Sequence, residues 1–334
     1  MTIRTPYRPL DITIPFPELK PWARTATRLH PRPGTPTADE SSVGGPLLWP
    51  SDEEWPVCGE HGRVQGIAPG RVRRYRRILR EAYARPRAED GGPAYTAGER
   101  AELDELARTG HRPDRHDGGP LPLLALAQCY TRDVPDLAAF APPGADLLQV
   151  LWCPFYGHED GPFSEFGPST LLYWRRSTDV TAPLPVMPEP AVVDRDSYLP
   201  EPCVLHPERI VEYPFADYLP RELDERIAAW EDELRTRIGP SAPWYQYDLS
   251  LAPGWKVGGW DSWHKTDLDR VYCPTCGTEM RVLLTVDSYE TGGSWGAYPE
   301  PVGRPTGVEV GRDGEYRAFV CPADPTHPHR MSMQ

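Results

Sequence analysis

The residues best equipped for chemistry lie near the C-terminus: Cys273-Pro274-Thr275-Cys276-Gly277, then Phe319-Val320-Cys321-Pro322, then His327 and His329. A Cys-x2-Cys-Gly knuckle is a tight turn that aims two thiolates at one point, and Gly277 supplies the backbone angles such a turn needs. Cys321 follows a short apolar run, Tyr316 to Val320, which reads as a strand able to return a third sulfur to the knuckle. His327 is the better-placed fourth ligand, with His329 close behind. Three Cys and one His make a tetrahedral structural zinc set with no open position, which argues against catalysis at the metal. Two other readings exist. The thiols could be unrelated, or Cys273 and Cys276 could form a redox pair. The redox reading needs a thioredoxin-like strand–Cys-x2-Cys–helix, whereas Met280 to Val286 reads as a strand.

A weaker set precedes this one. Cys58-x2-His61-Gly62 resembles a second knuckle, and Cys153 and His158 could complete a site with it. Alone, a Cys-x2-His pair means little. Its neighbours give it weight, because several features recur in one order. Val43-Gly44-Gly45 with Trp49 matches Val257-Gly258-Gly259 with Trp263. The two knuckles follow, then Leu121–Tyr130 matches Met280–Tyr289, with Gln128 opposite Asp287. Finally Leu148–Pro154 matches Tyr316–Pro322. Two structural zinc ions are therefore expected. The alternative is a shared fold in which the first site has decayed to hydrogen-bonded core residues. Cys203-x2-His206 lacks the knuckle glycine and a second ligand pair, and Cys129 reads as a buried small residue.

Other chemistry is thinly represented. There is no Walker loop and no Gly-x-Gly-x-x-Gly ahead of a helix. Gly292-Gly293-Ser294-Trp295-Gly296 matches a nucleophile elbow, but Pro299 and Pro301 follow where the elbow needs a helix, so a turn is expected. Asp52, Glu53, Glu54, Asp261, Asp267 and Asp269 read as solvated loop charges, although His264 near Asp261 and Asp267 could act as a base. An enzyme reading would be a metal-independent hydrolase or small-ligand enzyme with a pocket between the repeats.

The elements that must position these residues are legible in part. The chain has 334 residues with 42 Pro and 29 Gly, yet 11 Trp and 16 Tyr argue for packed structure with long proline-rich loops. The expected fold is α+β and predominantly β. Two pseudo-symmetric antiparallel or mixed sheet halves each carry a zinc-knuckle-like site, with inserted helices. Residues 1–40 read as a proline-rich surface segment that pairs one edge strand. Residues 41–175 form the first half, 176–253 a proline-rich linker and helix, and 254–334 the second half. The first half is interrupted over 63–117 by a helical hairpin. Arg63 to Arg80 holds seven Arg and no acid, with Tyr75, Ile78 and Leu79 as its apolar stripe, and Ala97–Ala107 is rich in Glu. A docking surface for an acidic partner or a phosphate backbone is the sharper alternative there. Leu223, Ile227, Trp230 and Leu234 mark an amphipathic helix over Pro220–Ile238.

A net charge of −13 disfavours general nucleic-acid or anionic-membrane binding. No apolar run is long enough to span a bilayer, and Met1 to Leu19 lacks a signal-peptide pattern. Seven Cys suit metal ligation in a reducing compartment, so a cytoplasmic location is expected.

The Gly-Gly-x3-Trp, Cys-x2-Cys/His-Gly, apolar-strand and strand-Cys-Pro order resembles the YwqG-like bacterial family (DUF1963) and, more distantly, the duplicated domain of programmed cell death protein 2. The similarity covers residues 41–62, 118–175 and 254–329. His61 departs from an all-Cys pattern, and the Arg63–Asp117 insertion is extra. The bacterial family carries no activity to transfer, and the eukaryotic relatives look like chaperones of a ribosomal protein. The resulting expectation is a non-enzymatic, zinc-stabilised binding or chaperone-like protein with a protein partner.

Overall fold

A computed structural model describes residues 3–59, 61, 63–87, 91–110, 114–155, 167–297, 299 and 302–334. In chain order the strands and helices are β1 (Arg24–Arg28), β2 (Arg32–Pro33), β3 (Ser42–Val43), β4 (Val57–Cys58), β5 (Val64–Gly66), α1 (Pro69–Tyr83), α2 (Ala97–Gly110) and β6 (Asp114–His116). Then come β7 (Leu121–Pro122), β8 (Leu124–Tyr130), β9 (Leu147–Trp152), β10 (Thr170–Arg175), β11 (Cys203–Val204) and β12 (Glu208–Glu212). The chain ends with α3 (Arg221–Ile238), β13 (Lys256–Gly258), β14 (Arg281–Asp287), β15 (Glu315–Val320) and β16 (Arg330–Met333). The fold is α+β with several antiparallel sheets.

Two sheets dominate, each of six strands. Sheet one runs β2-β11-β3-β8-β9-β10, and sheet two runs β12-β1-β13-β14-β15-β16. Their pairings correspond position by position. In sheet one, Ser42 lies opposite Gln128, and Gln128 opposite Gln149. In sheet two, Lys256 lies opposite Thr285, and Thr285 opposite Arg317. A register shift falls between Ala125 and Ala127 on β8 and at the same point, between Val282 and Leu284, on β14. Gly44 and Gly258 close β3 and β13 at φ +61° and +72°, a region that glycine enters without a Cβ penalty.

These registers correct one sequence match. Gln128 corresponds to Thr285, and Asp287 takes the place of Tyr130. Tyr130 and Tyr289 look equivalent in the sequence, but Tyr130 ends a strand and Tyr289 lies in the loop after one.

The segments outside the recurring motifs are woven into both sheets. β1 belongs to sheet two and β2 to sheet one, while β11 belongs to sheet one and β12 to sheet two. The expected edge pairing of the N-terminal segment is thus only part of its role, because β1 lies inside sheet two between β12 and β13. His30 sits where the chain passes from β1 to β2. It is fully buried at φ +44°, with Nε2 3.3 Å from Glu208 Oε2 at the start of β12. Burial and the nearby Arg28 push its pKa down to about 4 from 6.5. An unfolded chain takes up this proton near pH 6.5, whereas the folded one resists until about 4. Stability therefore falls by up to about 3 kcal/mol as the pH drops through that window. Urea midpoints across it should show the slope, and His30→Asn, which tolerates positive φ, should flatten it.

The two sheets share one core. Leu126, Val150 and Trp152 of sheet one pack in a single cluster with Val257, Leu284, Val286, Tyr316 and Ala318 of sheet two. The Trp152 and Tyr316 rings lie 6.1 Å apart. Period-two alternation then sends Gln149, Leu151 and Cys153, and likewise Arg317, Phe319 and Cys321, to the outer faces. Smaller apolar clusters cover those faces. Leu47, Trp49, Leu121, Leu151 and Cys153 form one, and Trp260, Trp263, Cys273, Phe319 and Cys321 the other.

The helices pack around this frame. In α1, Pro69 sits in the first turn, where its missing N–H does no harm. Its buried stripe is Val72, Ile78 and Ala82, while Tyr75 is exposed. The arginines of α1 meet acids of this same chain: Arg74 and Arg77 reach Glu102 on α2, Arg73 reaches Glu189, and Arg76 and Arg80 share Glu201. Most of the basic face is thus already engaged within the chain. In α3, Leu223, Ile227 and Leu234 are buried, with Leu223 and Ile227 clustering against Ile12, Phe16 and Leu19 of the N-terminal segment.

Candidate metal centres

Two Cys/His clusters form at corresponding places on the two sheets. The first to consider is Cys273, Cys276, Cys321 and His327, whose ligand atoms all lie within 4.8 Å of one another. The knuckle is built by a tight reversal ahead of β14. Cys273 N–H donates to Thr278 O, and Gly277 N–H donates to Cys273 O, each at 2.9 Å. Gly277 turns the chain at φ +70°. Cys321 is the next outer-face position after Phe319, so β15 aims it at the knuckle.

Zinc–sulfur bonds of about 2.3 Å place tetrahedral sulfurs about 3.8 Å apart. The observed edges are close to this: Cys276 Sγ to Cys321 Sγ is 3.5 Å, and Cys273 Sγ to His327 Nδ1 is 3.4 Å. His327 Nε2, the other ring nitrogen, lies 3.7 Å from Asp324 Oδ2, an outer-shell carboxylate of the kind that orients metal-binding imidazoles. Hydrogen bonds with the Thr278 hydroxyl and backbone N–H bring the Cys276 thiol down to about 6, so it is ready to ligate as thiolate. His329 is not part of the converging set. Its Nε2–H donates to Thr170 O on β10 at 2.9 Å and ties the sheets together.

The other cluster holds Cys58, His61 and Cys153, again within 4.8 Å. β4 places Cys58 by pairing with β7, where Cys58 faces Leu121. Cys153 follows β9 as Cys321 follows β15, and His61 Nε2 lies 3.0 Å from its sulfur. Phe155 packs on the His61 ring at 4.9 Å. Hydrogen bonding with Cys58, then burial, raises the Cys153 thiol. The expected fourth ligand, His158, and the knuckle glycine Gly62 lie outside the described residues.

The remaining candidates fall elsewhere. Cys203 Sγ–H donates to Pro305 O, and Cys129 is buried in the shared core. Ser294 sits in a turn, its N–H donating to Asp248 Oδ1 at 2.8 Å and its hydroxyl to Asp248 O at 3.4 Å, so it is not an elbow nucleophile. Asp261 is no solvated charge. It is buried and accepts from Tyr218 Oη at 2.7 Å and Trp263 Nε1 at 2.5 Å. Glu53 forms a two-bond pair with Arg175 at 2.6 and 2.7 Å.

His264 has a setting that the sequence did not reveal. It lines a cavity of about 190 Å3 on the outer face of sheet two, together with Ser262, Asp287 and Glu315. The signal was present: Asp287 ends β14 and Glu315 begins β15, each an acidic residue beside an apolar run. It went unused because the cross-strand register that joins them is not visible in one sequence.

No protein-family model matches this chain, and no curated protein matches it. Among the described residues, no helix is long and apolar enough to cross a membrane.

Proposed function

We propose that the chain is a non-enzymatic, chaperone-like binding protein whose two related halves are each closed by a structural zinc ion. One observation carries this reading: Cys273, Cys276, Cys321 and His327 converge as a complete four-ligand set with an outer-shell carboxylate. A closed set holds structure and leaves no position for substrate. Zinc bound there would fix the knuckle to β15. At the first cluster Cys58, His61 and Cys153 would ligate, with His158 as the fourth candidate.

The duplication is supported by the shared strand plan, the matching register shift and the positive-φ glycines Gly44 and Gly258 at matching positions. The segments outside the halves add strands to both sheets, which suits a protein whose parts are too small to stand alone. We place the chain beside the YwqG-like family on the motif order given above, and infer that its partner is a protein. Metal analysis of the purified chain should find two zinc ions, and cobalt substitution should give a tetrahedral thiolate spectrum. Fewer than one metal per chain would defeat the reading.

A further inference from the structure

Sheet one and sheet two differ sharply at one corresponding spot. In sheet one, Tyr130 of β8 lies opposite Leu147 of β9, and both pack with Leu48 in a buried apolar cluster. In sheet two the same register positions hold Asp287 and Glu315, directly opposite each other. The counterpart of Leu48 is Ser262. Gln149 donates to the Leu48 carbonyl, and Arg317, at the position of Gln149, donates to the Ser262 carbonyl. An apolar triplet in one frame is thus a Ser–Asp–Glu triplet in the other, so the fold itself does not require the polar residues.

Their placement is unfavourable without a ligand. Like charges opposite one another on neighbouring strands destabilise a sheet. Asp287 and Glu315 are 7% and 6% exposed, and among the described residues neither has a Lys or Arg ion-pair partner. Asp287 accepts from the Gly254 and Tyr289 N–H groups at 2.8 and 3.0 Å, and Glu315 from Ser262 Oγ at 2.8 Å. Burial first, then Glu315, raises the Asp287 pKa to about 8. The two carboxyls lie on the wall of an open cavity whose other walls include Phe215, Tyr247 and Tyr289. Its 190 Å3 is small for a drug-sized ligand and suits a chain end.

We propose that this cavity recognises an organic ammonium group, seated on the Asp287–Glu315 pair and flanked by aromatic rings. A buried carboxylate pair supplies the counter-charge, and aromatic faces favour a cation beside them. The geometry favours an extended organic cation over a metal ion. The side-chain ligand atoms of His264, Asp287 and Glu315 do not converge within 4.8 Å, as both Cys/His clusters do. A free polyamine and a lysine side chain are two sources of this one chemistry. This site goes beyond the zinc reading and does not rest on it.

Calorimetric titration of the full chain with spermidine, and separately with N-acetyl-lysine methylamide, tests the proposal. At least one amine should bind, and the tighter one identifies the source. Binding should release protons at neutral pH, because the ammonium displaces the proton held by the pair. The charged groups facing that proton are Glu315 and Glu290, with Asp313 and His264 at the wall and Arg28 and Arg317 farther along the sheet. Glu315→Gln should weaken binding at least tenfold while leaving thermal unfolding unchanged or higher. Tyr247→Leu alters an exposed wall residue and should weaken binding without affecting folding. No binding of either amine, equal affinity in Glu315→Gln, or tighter binding of calcium than of both amines would overturn the proposal.

Discussion

Cys273→Ser is expected to lower the zinc content from two ions per chain to one and to destabilise the fold by at least about 3 kcal/mol. Structural zinc in small peptides contributes ~10–16 kcal/mol of apparent binding energy, and only part is lost here because a sheet survives around the site. Cys273 is 3% exposed, touches His327 and packs with Trp263 and Phe319, so its loss opens the cluster from inside. Hydrogen exchange should rise first in the knuckle and in the turn holding His327. Cys203→Ser is the control: Cys203 hydrogen-bonds to Pro305 O away from both clusters, and its variant should keep both ions. Equal metal content in the two variants would contradict the assignment. Acid should release the metal from the wild type, since thiolates and neutral imidazole are the binding forms.

Lys256→Met should destabilise by about 3–5 kcal/mol, the usual effect of stranding one member of a buried ion pair. Glu212 is 0% and Lys256 2% exposed, and their polar atoms meet at 2.8 Å. Glu212 also accepts the Ala252 and Trp260 N–H groups, each at 2.9 Å, so it fastens the loops flanking β13. Gly259 approaches so closely that a Cβ there would lie 2.2 Å from Glu212 Oε2. Removing the lysine charge leaves the carboxylate desolvated, with Arg28 and Arg8 as its remaining positive neighbours. Adding Glu212→Gln to Lys256→Met should recover part of the loss, because an amide oxygen still accepts from the backbone without carrying charge. Denaturant midpoints of the three variants give the coupling directly. Additive effects would mean that the pair is not a unit.

The local chemistry was legible in the sequence because it depends on short spacings. Cys273-x2-Cys276-Gly277 specifies a knuckle through turn geometry alone, and the outer-face periodicity of β15 carries Cys321 to it. The helices α1, α2 and α3 were likewise written in apolar spacing and charge. The recurring motif order pointed to two corresponding sites, and both clusters converge.

Three things depended on tertiary structure, each because it joins residues far apart in the chain. The exchange of β1, β2, β11 and β12 between sheets depends on long-range pairing of short strands, which carry little periodic signal. That His327 and not His329 joins the three sulfurs was decided by the turn after β15, which brings His327 to the knuckle while His329 Nε2 reaches Thr170 O of β10. The polar wall of the cavity joins distant residues, because the register on β14 sets Asp287 against Glu315, while the same register on β8 sets Tyr130 against Leu147. By itself, the sequence determined the Cys positions that converge in the two clusters, and the helices. The partner of each buried charge was decided by register and by the packing of one sheet on the other.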